Sequence, residues 1–192
     1  MTLRIVIPVR PRREGKSRLG PALKPAARAL LVERMFRHVV EVAQQCGPTW
    51  VVSRDPVLLV LSAQSVVETG FGLNPALEQA AAGLAGGDPV LALSADLPLL
   101  TSSDLVAMVG LLAEAEVVAA PDRTGTGTNA LLLARPGLIP YRFGEGSLAA
   151  HRAAAEANGL RFAICERAGL ATDIDQPEDL AVFSQDLLAS NH

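Results

Sequence analysis

Aromatic side chains are scarce in this sequence: one Trp, one Tyr and five Phe among 192 residues. Hydrophobic residues nevertheless make up 49% of the chain, so the core must be aliphatic, built from Ala, Val and Leu. A surplus of either charge is missing too. A net charge of -3 offers no electrostatic case for nucleic acid or for an acidic membrane surface. There are only two cysteines, Cys46 and Cys165, far apart and without metal-ligand spacing, which predicts buried reduced thiols. No apolar run approaches the roughly 18 residues that a membrane span needs. The N-terminus leads directly into a strand pattern and lacks the layout of a signal peptide. Repeats, linkers and low-complexity tracts are absent as well. These absences leave a soluble, cytoplasmic protein with one domain over residues 1–192, long enough for a real core.

What is present is an alternation of strand and helix patterns. Strands are predicted at Leu3 to Val9, Trp50 to Ser53, Ser65 to Glu68, Val90 to Leu93, Val117 to Ala120, Asn129 to Ala134 and Leu160 to Cys165. Between them lies a long helix from Ala26 to Gln45, with Leu30, Leu31, Met35, Val39 and Val42 at helical spacing. Asp55-Pro56 opens a short helix through Leu61, and an Ala-rich helix starts at Pro75 and ends at Gly86-Gly87. Thr101 and Asp104 form a capping pattern for a helix from about Ser102 to Glu114. Further helices are predicted from Ser147 to Asn158 and from Pro177 to Leu188. Strands and helices of these lengths in alternation mean an α/β fold: a mainly parallel sheet with helices on both faces.

In such sheets ligands bind outside the carboxyl ends of the strands. The run Val90 to Asp104 (VLALSADLPLLTSSD) puts one carboxylate, Asp96, at such an end, where it either holds a divalent metal carrying nucleotide phosphates or caps the turn. After the first strand comes a loop with five basic residues, Arg10, Arg12, Arg13, Lys16 and Arg18. Its Gly-Lys-Ser is no P-loop, since the first glycine of that motif would fall at Arg10. Backbone amides with Lys16 and Arg18 can still embrace a triphosphate. Asn74, before a helix, is either an N-cap or a nucleotide contact. The loop Pro121 to Asn129 offers glycines, three hydroxyls, Arg123 and an amide, more than a turn needs, and suits an anion. Phe143 to Ser147 precedes a helix and presents Gly144, Gly146 and Ser147 at its N-terminus, with His151 one turn on. Asp173 and Asp175, in the last loop, can join Asp96 around one or two Mg²⁺ ions.

Taken together, IPVR-x(5)-KSRL at 7–19, GLN at 72–74, SADLPLL at 94–100, PDRTGTGTNALLL at 121–133, FGEGS-x(3)-H at 143–151 and DIDQPEDL at 173–180 resemble one family. It is the guanylyltransferases of coenzyme F-420 biosynthesis, which act on 2-phospholactate or phosphoenolpyruvate. The resemblance spans nearly the whole chain. It implies a single-domain Rossmann-like nucleotidyltransferase fold and transfer of GMP from GTP to a small phosphorylated carboxylate, with Mg²⁺ as cofactor. A homodimer is compatible with it, and neither nucleic acid nor membrane is expected as a partner.

By that resemblance Lys16, Arg18 and Asp96 carry the catalysis. Pro8, Arg10, Lys16, Asn74 and Ser94 contact the nucleotide, with Asn74 on the guanosine. Asp96 and Asp175 bind metal, Asp173 being the substitute for Asp175. Thr128, Gly144 and Ser147 hold the acceptor, with Arg123, Asn129 and His151 beside them, in a site distinct from that of GTP. Arg10 stands where the family usually has lysine, so a forked guanidinium replaces a point charge. The acceptor is one of phosphoenolpyruvate, 2-phospholactate and 3-phosphoglycerate. Rival readings are a cytidylyl- or molybdopterin-type transferase of the same fold and a non-catalytic nucleotide-binding protein.

Overall fold

The computed structural model describes residues 2–61, 64–70, 72–84 and 86–180. Seven strands form one sheet: β1 (Arg4–Pro8), β2 (Thr49–Ser53), β3 (Gln64–Val67), β4 (Val90–Leu93), β5 (Val117–Pro121), β6 (Thr128–Leu133) and β7 (Phe162–Ile164). Their order is β3-β2-β1-β4-β6-β5-β7, and β6 alone runs against its neighbours. The sheet is thus mainly parallel, as the alternation of elements predicts.

Helices cover both faces because the strands are apolar on both. In β1, Ile5 and Ile7 face one layer while Val6 faces the other, and in β4 Leu91 and Leu93 oppose Val90 and Ala92 in the same way. The first layer holds α1 (Pro25–Cys46), α2 (Pro56–Leu59) and α4 (Ser102–Gly110). The second holds α3 (Leu73–Ala82) and α5 (Ser147–Ala157). Phe36, fully buried from α1, is the largest side chain of the first layer. Burying a side chain of that kind contributes roughly 1.5 to 3 kcal/mol. Among the described residues no helix is long and apolar enough to cross a membrane.

Several expectations shift. Leu30 is 50% exposed, so the buried stripe of α1 runs through Leu31, Met35, Val39 and Val42 without it. The Ala-rich helix begins at Leu73, two residues before Pro75, and ends at Ala82. Gly72, at φ 112°, takes the cap position, which was one of the two readings of Asn74. Pro75 is tolerated inside the first turn because amides there have no helical acceptor to lose. α4 keeps its Thr101–Asp104 capping box and tightens into a 3₁₀ turn at Leu111–Ala113. Of the closing helix only the 3₁₀ turn Pro177–Asp179 and Leu180 fall among the described residues, and 181–188 lie outside them. Cys165 is buried as expected, whereas Cys46 is only partly so. A short helix that the sequence did not announce, α6 (Ala168–Ala171), follows β7.

Candidate active site

The chain changes direction across the sheet between β1 and β4, and at such a switch point the loops after the strands part to leave a crevice. A cavity of about 840 Å³ opens there. Pro8 and Arg10 line it from the end of β1, Ser94 and Asp96 from the end of β4, and Lys16, Arg18 and Asp175 from the loops between and beyond.

The basic loop is folded by its own residues. Glu14 and Gly15 amides turn back onto the Pro11 carbonyl. Arg12 ties the loop down, donating from its backbone N and its Nε to Asp55 at 3.0 Å and from Nη1 to Glu33 at 2.7 Å. Leu19 closes the far end, buried with Leu31, Met35 and Ile174. Between these anchors Lys16 adopts φ 56°, and it is the one non-glycine with positive φ among the described residues. Lysine in that region is strained by about 1 kcal/mol, a kind of strain that concentrates at functional sites.

The Lys16 ammonium bonds to Asp96 and, at 2.6 Å, to Asp175. Asp173 completes the cluster: one oxygen from each of Asp96, Asp173 and Asp175 lies within 4.8 Å of the others. Burial pushes the lysine pKa down, but the charges of Asp96 and Asp175 outweigh it and hold the pKa above the ordinary value. Burial, reinforced by Asp96 and Asp175, raises the Asp173 carboxyl. Arg18 reaches Asp175 at 3.5 Å while remaining 68% exposed. Three carboxylates against these two cations leave the cluster one negative charge. An oxygen-only donor set of this kind fits a hard divalent cation such as Mg²⁺.

Asp179 sets the position of Asp175, accepting from the Asp175 and Gln176 amides at 2.9 and 2.7 Å. Its other oxygen takes Arg123 Nη2 at 2.5 Å. Arg123, expected beside the acceptor, is therefore engaged under the carboxylate loop. Gln176 and Asp179 form a Gln-x-x-Asp capping box, and that pattern is the sequence signal for this part.

Two stretches expected to form an anion site do meet. The Leu148 amide donates to the Thr126 carbonyl at 3.1 Å, joining the β5–β6 hairpin loop to the start of α5. Asp122 organises that loop through bonds from the Thr126 and Gly127 amides, both at 3.0 Å. An aspartate at the head of a glycine-rich loop is a recognisable turn former, though it was not singled out from the sequence. Thr126, Gly127, Phe143 and Gly144 line the same cavity as Lys16 and Asp96. The acceptor region expected to be distinct is thus one end of a continuous space.

Gly144 lies at φ 131° and Gly146 at φ 66°, conformations that leave the amides of residues 144–146 without a protein acceptor among the described residues. Ser147 is 1% exposed, and its Oγ has no hydrogen-bond partner among the described residues. Thr128, Asn129, Ser147 and His151 are buried and do not line the cavity. Asn129 donates to the carbonyls of Leu170 and Ala171 at 3.0 and 3.4 Å, so it holds α6. His151 Nε2 accepts from the Arg142 amide at 3.0 Å. The neutral ring therefore carries its proton on Nδ1 and donates to Thr128 Oγ1 at 3.2 Å. Burial, with the charge of Arg142, pushes the His151 pKa down to about 4. Asn74, expected on the guanosine, uses both ends of its amide on the Phe143 backbone, at 2.8 and 3.1 Å.

A mainly parallel sheet with a carboxylate cluster and a basic loop at its switch point defines a nucleotidyltransferase. The solved structures it resembles have that fold. A Desulfovibrio desulfuricans protein described as a nucleotide-diphospho-sugar transferase superposes with TM-score 0.78 at 15% identity, covering 100% of this chain and 90% of that one. CMP:2-keto-3-deoxy-manno-octonic acid synthetase complexed with CTP gives 0.64 at 16% identity, with 100% of both chains covered. More narrowly, the chain belongs to the Guanylyl transferase CofC like family, whose model matches residues 3–184. It is 43% identical to the phosphoenolpyruvate guanylyltransferase of Rubrobacter xylanophilus, over 94% of this chain and 93% of that protein. Against the 2-phospho-L-lactate guanylyltransferase of Methanocaldococcus infernus the identity is 33%, over 91% and 81%.

Proposed function

We propose that this enzyme transfers GMP from GTP to the phosphate of a small phosphorylated carboxylate, releasing pyrophosphate, as a step of coenzyme F-420 biosynthesis in the cytoplasm. The acceptor is phosphoenolpyruvate, 2-phospho-L-lactate or 3-phosphoglycerate, and Mg²⁺ is the cofactor. The observation that carries this reading is the cluster of Asp96, Asp173 and Asp175 with the Lys16 ammonium among them, in a cavity of about 840 Å³. Cavities of that size hold molecules the size of a nucleotide.

An acceptor phosphate oxygen attacks the α-phosphorus of GTP in line. A new O–P bond forms, the bond to the β-phosphate bridge breaks, and pyrophosphate leaves with the electron pair. The acceptor phosphate is already ionised at neutral pH, so no general base is needed. Asp96 and Asp175 would hold Mg²⁺, with Asp173 as the third carboxylate, and the ion would neutralise triphosphate oxygens. Lys16, Arg18 and Arg10 bring positive charge to the same oxygens as negative charge builds on the leaving pyrophosphate. The amides of residues 144–146 and the unpartnered Ser147 hydroxyl supply donors for the anionic acceptor, with Thr128 behind them. Catalysis rests on positioning and charge and requires no covalent intermediate.

Pyrophosphate release from GTP, assayed with each of the three acceptors, tests this reading. Release with at least one of them is expected. No release with any acceptor, or faster release from CTP than from GTP, would overturn it.

A further inference from the structure

Residues Tyr141 to Phe143 run between β6 and α5 without belonging to any strand. Backbone left out of a sheet must find other partners. Here three successive N–H groups are each taken by a side chain from elsewhere. Tyr141 N donates to Glu78 Oε1 at 3.1 Å, Arg142 N to His151 Nε2 at 3.0 Å, and Phe143 N to Asn74 Oδ1 at 2.8 Å. Asn74 also returns a donor, Nδ2, to the Phe143 carbonyl at 3.1 Å. Asn74 and Glu78 stand one turn apart on α3 and so share a face of it. His151 belongs to α5, fully buried, and meets the Phe143 ring edge-on at 5.1 Å between centroids.

We propose that Asn74, Glu78 and His151 are positioning residues: a side-chain cradle that sets the Tyr141–Gly144 segment and thereby the acceptor end of the cavity, with Asn74 its principal member. The segment does for Phe143 and Gly144 what a strand would do, but its hydrogen-bond register is written in side chains. Phe143 and Gly144 line the cavity, and the unclaimed amides of residues 144–146 follow directly. Displacing such donors by about 1 Å suffices to degrade binding and turnover. The cradle also joins the two halves of the site, since α3 follows β3 on the β1–β3 side while α5 follows β6 on the other.

The identity of the acceptor rests on the function proposed above, whereas the cradle itself does not. Steady-state kinetics on Asn74→Ala, Glu78→Leu and Glu78→Gln, with GTP and whichever acceptor supports turnover, test the inference. Asn74→Ala is expected to raise the acceptor KM by about tenfold or more and to leave the GTP KM within about twofold, since one hydrogen bond to a displaced anion is at stake. Glu78→Leu should move the acceptor KM in the same direction, and Glu78→Gln, which keeps the accepting oxygen, should return it to near the wild-type value. A GTP KM that rises as much as the acceptor KM would mean that Asn74 serves the nucleotide, and the proposal falls. An unchanged acceptor KM in Asn74→Ala, or equal defects in Glu78→Gln and Glu78→Leu, would overturn it as well. Should Asn74→Ala fail to fold, the Glu78 pair decides. Should wild-type protein release no pyrophosphate with any acceptor, the functional reading fails. The cradle is then judged by amide hydrogen exchange at residues 141–143, expected to be at least about tenfold faster in Glu78→Leu than in wild type. Equal exchange rates would overturn it.

Discussion

At the scale of single residues the proposed function separates groups that hold the fold from groups that would meet a ligand. Asp96 is of the second kind: its side chain is 27% exposed, and its contact is Lys16, which Asp175 also holds. Asp96→Asn is therefore expected to leave the melting temperature within a few degrees of wild type. Turnover should fall by about a hundredfold or more, the loss typical of removing one charge-stabilising group. Activity within a few-fold of wild type would remove Asp96 from the metal. Ser147 makes a sharper case. Its buried hydroxyl has no partner among the described residues, so Ser147→Ala loses no hydrogen bond to them and should not destabilise the protein. A lost bond to a charged acceptor group would cost about 1.5 to 3 kcal/mol, roughly a tenfold to hundredfold rise in the acceptor's dissociation constant. Calorimetry on acceptor and GTP separately checks this, and equal losses for both would assign Ser147 to the nucleotide. The place of Asp96 was legible in the sequence, because an apolar run that ends before a lone carboxylate puts it at a strand's end and so at the crevice. Asn74 was not, because a short polar residue before a helix reads alike whether it caps, binds a ligand or clamps a segment 69 residues away.

At the scale of elements, strands and long helices were legible because their apolar periodicity is set by burial, and the Thr101–Asp104 box because capping is local. α6 was not, since it depends on a tertiary fit. A Cβ on Gly169 would stand 2.2 Å from Asp104 Oδ2 and 2.7 Å from the Leu99 carbonyl. Asp104 cannot yield easily, because it closes the capping box and accepts from Arg167 at 2.8 Å. Gly169→Ala should therefore destabilise the protein by about 1 to 3 kcal/mol, measured by urea unfolding. A neutral effect would show that α6 slides away freely. α5 carries a pH dependence of its own. His151 has a folded pKa of about 4 against an ordinary value of 6.5, so the unfolded chain binds its proton first. The stability it contributes is complete above pH 6.5 and is lost as pH falls towards 4. Between pH 7 and pH 5 wild type should lose about 2 kcal/mol that His151→Gln does not lose, because the unfolded chain takes up a proton in that range that the folded ring, buried and near the charge of Arg142, does not. Unfolding curves for both proteins at the two pH values check it, and a constant difference between them would mean that His151 titrates alike in the folded and unfolded chain.

At the scale of the whole molecule, the cavity is bounded by loops from both halves of the sheet, with Arg10 and Lys16 on one side and Thr126 and Gly144 on the other. The core beneath it was readable from sequence as an aliphatic α/β sheet. The joining of the basic loop with Thr126, Gly127, Phe143 and Gly144 in the lining of one space was not, because it depends on how far the β5–β6 hairpin and the start of α5 lean towards β1. A ligand held between two halves stabilises both together, and only in the folded state. At a hundred times its dissociation constant such a ligand adds about 2.7 kcal/mol. For a domain of this length that amounts to a rise of roughly 5 to 10 °C in melting temperature. GTP with Mg²⁺ is expected to produce a shift of that order in wild type. Chelation by EDTA should remove most of it, because the triphosphate would then face Asp96, Asp173 and Asp175 without a counter-ion. Asp96→Asn should show a reduced shift even with Mg²⁺ present, while CTP and ATP at equal concentration should shift wild type less than GTP. A shift that survives EDTA undiminished would place the triphosphate away from the carboxylate cluster, on Arg10 and the basic loop alone.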